Sequence, residues 1–119
     1  MTKLKIEIAR SPSELAKGLM YRESLDQNSG MLFKFNQPTP ISFWGKNTYI
    51  PLDVAFVKND RITEIRHIVP MSCRLIHSSD ICDAAIEANA GFFKQNNIIP
   101  GSMIKIMKDN DGKESEIYF

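Results

Sequence analysis

The sequence contains little cysteine and no long apolar run, and both shortages narrow the classes of protein it can encode. Its two cysteines, Cys73 and Cys82, are too few to hold a small fold together through a disulfide framework. No apolar stretch approaches the ~20 residues that a membrane-spanning helix needs. The chain begins with Met-Thr-Lys and enters a strand pattern at once, which leaves no room for a signal peptide. We therefore expect a cytoplasmic protein without a membrane partner, in which both thiols are reduced.

The chain also lacks an excess of charge of either sign. Its 119 residues include 15 basic and 14 acidic side chains, for a formal net charge of +1, and no basic block stands out. Nucleic acid binding by phosphate neutralisation needs a basic face, so this composition disfavours a nucleic acid partner. Hydrophobic residues make up 43% of the chain and charged residues 24%, as is ordinary for a globular protein. This length predicts one domain over residues 1–119, with a core that needs neither metal nor disulfide.

Common catalytic and metal-binding motifs are missing as well. There is no glycine-rich phosphate loop, no serine nucleophile elbow and no metalloprotease helix. Four side chains of the types that bind zinc lie within sixteen residues: His67, Cys73, His77 and Cys82. Their spacing lacks the paired Cys-x-x-Cys of a strong zinc motif, and His67 falls inside a predicted strand. We therefore expect structural thiols, no metal and no cofactor, with a zinc site as the alternative.

Short alternating segments dominate the rest of the pattern. Residues 3–8 alternate charged and apolar side chains, as a half-solvated strand does. Residues 11–14, Ser-Pro-Ser-Glu, are typical of a helix start, with a capping serine, an early proline and a glutamate that reaches back. Later alternating segments are separated by turn sequences such as Asn59-Asp60. The pattern predicts a mainly β (α+β) fold, a single compact antiparallel β-barrel or sandwich of about eight strands with one or two short helices.

The segment from Phe43 to Asp53 carries the greatest variety of functional groups. It places the only tryptophan, Trp44, near a lysine, an amide, a hydroxyl and an aspartate, at a turn between two predicted strands. Asp53 points to a strand face that is otherwise apolar, so its carboxylate must be paired, hydrogen-bonded or exposed to a pocket. One interpretation is local, with Asp53 accepting hydrogen bonds from the backbone or Thr48 and fixing the turn. The functional alternative is a ligand acceptor or general base.

The residues between Trp44 and Asp53 support two kinds of role. Trp44 shares a strand face with Lys46, and these polar surroundings suit a stacking platform with one solvent-exposed side. The alternative is a core residue, since a lone tryptophan is also common in a core. Lys46 can hold a carboxylate or phosphate, or simply extend into water. Asn47 is most simply a turn residue.

Two ionisable residues outside this segment are further candidates. Glu87 lies in a predicted strand over residues 84–90, among small residues that leave room for a ligand, and the alternative is an ordinary solvated strand face. Arg22 follows the first predicted helix. This arginine is placed to pair with Glu23, Asp53 or Glu87, more simply as a structural salt bridge than as a ligand contact.

Four blocks of sequence together resemble the family known as domain of unknown function 192. They are residues 16–22, 30–35, 43–53 and 86–93, in an order and spacing that cover nearly the whole chain. The resemblance implies a compact β-rich fold with little helix. It also implies that the site comprises the residues matching the family's polar signature, namely Arg22, Trp44, Lys46, Asn47, Asp53 and Glu87.

The chain departs from this resemblance at two places. Relatives usually carry methionine where this chain has Gly45, and we expect the glycine to loosen the strand and open space beside Trp44. Residues 71–81 also differ from the proline-rich stretch common in relatives, so no ligand contact is carried over there. The family has no assigned activity that the resemblance could transfer.

Three functions remain open on the sequence alone. The first is a domain that binds a small polar or anionic molecule in a cleft near Trp44, Lys46 and Asp53. The second is a hydrolase-like enzyme with Asp53 or Glu87 as the base, and with Lys46 or Arg22 stabilising negative charge. The third is a protein-interaction module with an exposed aromatic patch formed by Phe33, Phe35, Phe43 and Trp44. The first two predict that the six candidate residues converge on one cleft.

Overall fold

Nine strands and two short helices make up the fold in a computed structural model that describes all 119 residues. The elements in chain order are β1 (Lys3–Ala9), α1 (Pro12–Lys17), β2 (Ser29–Thr39), β3 (Ser42–Phe43), β4 (Leu52–Lys58), β5 (Arg61–Ile68), β6 (Ile76–His77), β7 (Cys82–Asn89), α2 (Phe92–Gln95), β8 (Lys105–Lys108) and β9 (Glu114–Tyr118). The mainly β fold predicted from the sequence is confirmed. Neither helix has the length and apolar character needed to cross a membrane.

Seven of the strands form one sheet, in the order β5-β4-β7-β2-β1-β9-β8, while β3 and β6 pair separately. The β1–β2 pair is parallel and the other pairs are antiparallel, so the sheet is mixed rather than purely antiparallel. A parallel pair needs a crossover connection, and α1 with the loop after it supplies one. The sheet is not closed by a strand ladder. Its two edges do approach each other, because Arg61 in β5 forms a single bridge with Met103 just before β8.

The first helix begins as the sequence predicts. The Ser11 hydroxyl accepts a hydrogen bond from the Glu14 amide at 3.2 Å, and the Glu14 carboxylate accepts one from the Ser11 amide at 3.0 Å. This reciprocal capping box satisfies amide groups that a helix start leaves unpaired. Gly18 ends the helix with φ 48° and donates its amide to the Glu14 carbonyl oxygen. The chain therefore turns sharply at Gly18 and runs on over the sheet.

The main sheet is covered on both faces, because successive residues of a strand point to opposite sides. In β4, Ala55 and Val57 belong to one apolar cluster, together with Phe92 and Phe93 at α2. Leu52, Val54 and Phe56 belong to the other cluster, together with side chains from the loops around β3 and β6. The central strands β4 and β7 are consequently buried along nearly their whole length.

Gly45 lies where two loops approach more closely than a side chain would permit. Its amide donates to the Ser72 carbonyl oxygen at 2.9 Å, and its carbonyl oxygen accepts from the Met71 amide at 2.8 Å. A Cβ atom at this position would lie 1.8 Å from the carbonyl oxygen of Val69. The expectation that Gly45 opens space beside Trp44 is therefore wrong, because backbone atoms of residues 69–72 occupy that space.

We expect Gly45→Ala to lower the free energy of unfolding by about 3 kcal/mol or more, because the added methyl group overlaps backbone rather than a mobile side chain. Urea unfolding measures the loss. Gly112→Ala is the matched control, since Gly112 has φ 77° and nothing lies within 4 Å of the place its added methyl group would take. That variant should lose only the ~1–2 kcal/mol of left-handed backbone strain. Equal small losses in both variants would contradict the tight packing at Gly45.

Candidate functional site

Glu87 lies at the centre of the main sheet. It belongs to β7, where it faces Met31 of β2 on one side and Val54 of β4 on the other. Only 4% of the residue is exposed. The alternative of an ordinary solvated strand face is therefore wrong for Glu87. Because neighbouring strands and covering loops enclose both faces of β7, an acidic side chain there is buried whichever face it takes.

The Glu87 carboxyl has no partner within the protein. It takes part in no hydrogen bond or ion pair, yet no side-chain oxygen of the chain is both fully enclosed and unpaired. Its oxygens therefore reach open space. Desolvation by burial raises the pKa of the Glu87 carboxyl to about 8, so the group carries its proton at neutral pH.

The open space beside Glu87 is a cavity of about 120 Å³. The cavity lies between the sheet, the end of α1 and the segment that contains β3, and its walls include Gly18, Phe33, Phe43, Trp44, Thr48 and Glu87. The rings of Phe33 and Phe43 stand edge to face, with centroids 4.9 Å apart. The buried Thr48 hydroxyl donates to the Lys46 carbonyl oxygen at 3.2 Å. The cavity walls thus combine aromatic rings with polar groups, one of which is a buried acid.

Trp44 and Lys46 lie together at the edge of this cavity. Trp44 lines the cavity and is 37% exposed, so its side chain contacts both the interior and solvent. The Lys46 ammonium nitrogen lies 5.1 Å from the centroid of the indole ring, within the range of a cation–π interaction. The structure therefore brings Trp44 and Glu87 to one cavity, with Lys46 over the tryptophan.

Asn47 connects two loops beside the cavity instead of lining it. Its side-chain amide donates to the Tyr21 hydroxyl at 3.0 Å, and its backbone carbonyl oxygen accepts from the Tyr21 backbone amide at 2.8 Å. Asn47 itself has φ 56°, a left-handed conformation that asparagine tolerates well. These contacts join the loop after α1 to the turn after Trp44, and the contribution of Tyr21 could not be read from the sequence.

Arg22 binds a residue that the sequence did not suggest. Its guanidinium group forms two hydrogen bonds with the Glu7 carboxylate, at 2.5 and 2.8 Å, and these lower the pKa of the Glu7 carboxyl. The expected pairing of Arg22 with Glu23, Asp53 or Glu87 is therefore wrong. Glu7 lies in β1 opposite Met31 of the parallel strand β2, so its position depends on a long-range strand pair.

Asp53 lies on the opposite face of the sheet from Glu87. In β4 it shares a face with Ala55 of the first cluster, whereas Glu87 shares a face of β7 with Ala85 of the second cluster. One Asp53 oxygen accepts from the Gly91 amide at 2.8 Å, and the other lies 2.9 Å from Nδ1 of His67 on the neighbouring strand. The six candidate residues therefore do not converge on one cleft. Asp53 fixes the turn before α2, and Thr48 does not contact it.

Two alternatives that the sequence left open, an exposed aromatic patch and a zinc site, do not match the positions of their residues. The aromatic patch of the interaction-module hypothesis is wrong, because Phe33 is 1% exposed and Phe35 and Phe43 are only partly exposed. The four zinc-type side chains are dispersed, and no three of the chain's histidine, cysteine or acidic residues are grouped as metal ligands. Cys73 is exposed and Cys82 is buried.

We expect Asp53→Ala to lower the free energy of unfolding by about 2–3 kcal/mol, because the Gly91 amide loses a charged acceptor. His67→Ala is the matched control. It removes the contact between His67 and Asp53 from the more exposed side, where 51% of the histidine side chain is accessible, and should cost less than about 1 kcal/mol. Urea unfolding of both variants tests this assignment. A loss for His67→Ala as large as that for Asp53→Ala would show that the pair, rather than the turn, is what Asp53 stabilises.

The raised pKa of Glu87 predicts a specific pH dependence of stability. Because folding raises the pKa of the Glu87 carboxyl from 4.5 to about 8, burial of this group costs least below pH 4.5, and the stability of the folded protein declines as pH rises towards 8. Glu87→Gln should remove up to about 1.4 kcal/mol per pH unit of that decline. Urea unfolding at several pH values between 5 and 8.5 measures it, with the exposed Glu23→Gln as control. Parallel pH profiles for wild type and Glu87→Gln would contradict the buried, protonated state.

Two solved structures share this fold. The chain is similar to a solved protein from Sinorhizobium meliloti 1021, provisionally described as a transcription regulator, with 39% sequence identity and a TM-score of 0.82 over 84% of this chain and 79% of that one. It is also similar to a solved protein of unknown function from Novosphingobium aromaticivorans DSM 12444, with 37% identity and a TM-score of 0.81 over 84% of this chain and 73% of the other.

The comparison with protein families identifies one family for the chain. No curated protein matches the chain. The family described as Uncharacterized ACR, domain of unknown function 192, matches residues 1–106, which is most of the chain and includes all six candidate residues. The chain therefore belongs to the domain of unknown function 192 family.

Proposed function

We propose that the chain is a binding domain for a small polar molecule, which enters the cavity beside Trp44 and bonds to the Glu87 carboxyl. One observation carries this proposal: Glu87 is a buried acid that takes no partner from the protein and reaches the cavity. Buried polar groups are nearly always hydrogen-bonded, and leaving one unsatisfied costs about 1–3 kcal/mol. The protein supplies Glu87 with no such bond, and a ligand in the cavity can supply one.

The size of the cavity limits what it accepts. A space of about 120 Å³ is somewhat smaller than the ~150 Å³ cavity that holds a benzene molecule in an engineered protein. It therefore suits a group of several heavy atoms, either a whole small molecule or one end of a larger one. The half-exposed Trp44 side chain then lies where the remainder of a larger ligand would emerge.

The candidate residues divide into two roles under this proposal. Glu87, Trp44 and Lys46 contact the ligand, from inside the cavity and from its edge. Asn47 positions the edge of the cavity through Tyr21, while Asp53 and Arg22 stabilise the surrounding fold. A cytoplasmic location and the absence of a nucleic acid partner stay predictions from the sequence. The net charge of +1 gives little support for carrying over the regulator description of the Sinorhizobium relative.

A hydrolase-like enzyme is the second candidate, and the pKa of about 8 for Glu87 favours it. A carboxyl that keeps its proton at neutral pH suits a general acid. Glu87 is then the catalytic group in place of Asp53, since both Asp53 oxygens are already engaged by Gly91 and His67. Turnover of a cavity ligand by wild type, but not by Glu87→Gln, would distinguish this enzyme from a binding domain.

Fluorescence of the single tryptophan provides a direct test of the proposed binding. The protein is titrated with neutral, anionic and cationic molecules of four to eight heavy atoms. We expect at least one class to change Trp44 emission saturably and to raise the melting temperature. Glu87→Met replaces the acid with an apolar side chain of similar size. This variant should weaken the binding at least tenfold.

The control variant is Asp53→Asn, which lies on the other face of the sheet. It should lower the melting temperature and leave ligand affinity within about twofold of wild type. Binding that survives Glu87→Met unchanged, or no response to any of the three classes, would refute the proposal.

A further inference from the structure

We propose that the cavity recognises a small organic ammonium group, with Glu87 as its counter-ion and the aromatic side chains as its walls. This inference rests on the proposed function, because it specifies the charge of the ligand that binds there. Its basis is the composition of the cavity, which combines one unpartnered acid with Phe33, Phe43 and Trp44. Carboxylate and aromatic ring faces both attract cations, and no other buried acid or base lines the cavity.

The surroundings of Glu87 supply no cation that would take this place. Across the sheet it faces Met31 and Val54, and the uncharged polar residues that line the cavity are Ser42 of β3 and Thr48 of the loop after it. Lys17, at the end of α1, is the one charged residue besides Glu87 that lines the cavity, and it forms no ion pair with Glu87. Desolvation is the only cause of the raised pKa of Glu87, so neither Lys17 nor Lys46 compensates the charge of the acid.

The indole of Trp44 already holds a cation from the same chain. The Lys46 ammonium nitrogen lies 5.1 Å from the ring centroid, which is the geometry a ligand ammonium would adopt on an aromatic wall. Lys46 therefore disfavours a ligand cation at the edge of the cavity by charge repulsion. An anionic ligand would be affected in the opposite way, since Lys46 would attract it. The effect of removing the Lys46 charge thus distinguishes the two ligand charges.

Binding of an ammonium group changes the protonation of the site in a defined way. The free protein at neutral pH holds Glu87 as a carboxylic acid, and the complex holds a carboxylate next to the ligand ammonium. The O–H bond of Glu87 breaks, its electron pair stays on the carboxylate, and the proton leaves to solvent. The affinity for the ammonium ligand must therefore increase about tenfold for each unit that pH rises below the pKa of Glu87, and it levels off above that pKa. The affinity for a neutral ligand that binds the protonated acid is instead constant below the pKa of Glu87 and falls above it.

The experiment uses three probes of matched length: n-butylammonium, butyramide and butyrate. Each is titrated into wild type at pH 6, 7, 8 and 9 at constant ionic strength, followed by Trp44 fluorescence and by calorimetry in two buffers of different ionisation enthalpy. We expect n-butylammonium to bind at least tenfold more tightly than the other two at pH 8. At pH 7 its binding should release close to one proton, and at pH 9 few or none.

Two variants complete the test. Glu87→Gln keeps the shape and hydrogen-bonding capacity of the side chain, and it should abolish the ammonium preference, the proton release and the pH dependence. Lys46→Met should tighten n-butylammonium binding about threefold. Tighter binding of butyrate or butyramide through Glu87 would overturn the ammonium inference and leave the proposed function intact. No response to any probe, or to the wider set of molecules, would overturn both.

Discussion

The burial of β7 on both faces is the constraint on which the rest of the structure depends. Its neighbours β4 and β2 satisfy its backbone, but both of its faces still need an apolar cover. Near α2 the cover consists of aromatic side chains such as Phe92 and Phe93. On the other face it consists of loops, the end of α1 and the small β3–β6 pair. Loops pack less regularly than strands, and the cavity beside Glu87 lies under this looser cover.

Polar contacts hold those loops in place, and this explains why the segment around Trp44 contains so many functional groups. The Gly45 backbone bonds to residues 71 and 72, and Asn47 bonds to Tyr21. Asp53 stabilises the turn before α2 from the far side of the sheet. Three polar residues of the family signature therefore hold the surrounding loops and turns and do not line the cavity, namely Arg22, Asn47 and Asp53. The family signature therefore includes residues that line the cavity as well as residues that stabilise the fold around it.

The sequence predicts local features well and long-range neighbours poorly. The capping box of α1 and the alternation in β1 are encoded within a few residues, and the structure contains both. The requirement that Asp53 be hydrogen-bonded also follows from local burial. Its actual partners, Gly91 and His67, depend on strand order, which periodicity does not encode. The same is true of the contact between Arg22 and Glu7.

Glu87 is the most instructive of these residues, because the fold gives no physical reason for a carboxyl at its position. The near-continuous apolar run around it, Ala84-Ala85-Ile86 and then Ala88, is typical of a strand covered on both faces. An apolar residue there would avoid the desolvation that raises the pKa of Glu87, and functional sites often carry such a cost in stability. Asp53 and Glu7 obtain partners from the protein, and Glu87 does not. Any hydrogen-bond partner of this acid, whether water or a bound molecule, therefore comes from outside the chain, and the adjoining cavity provides the space for one.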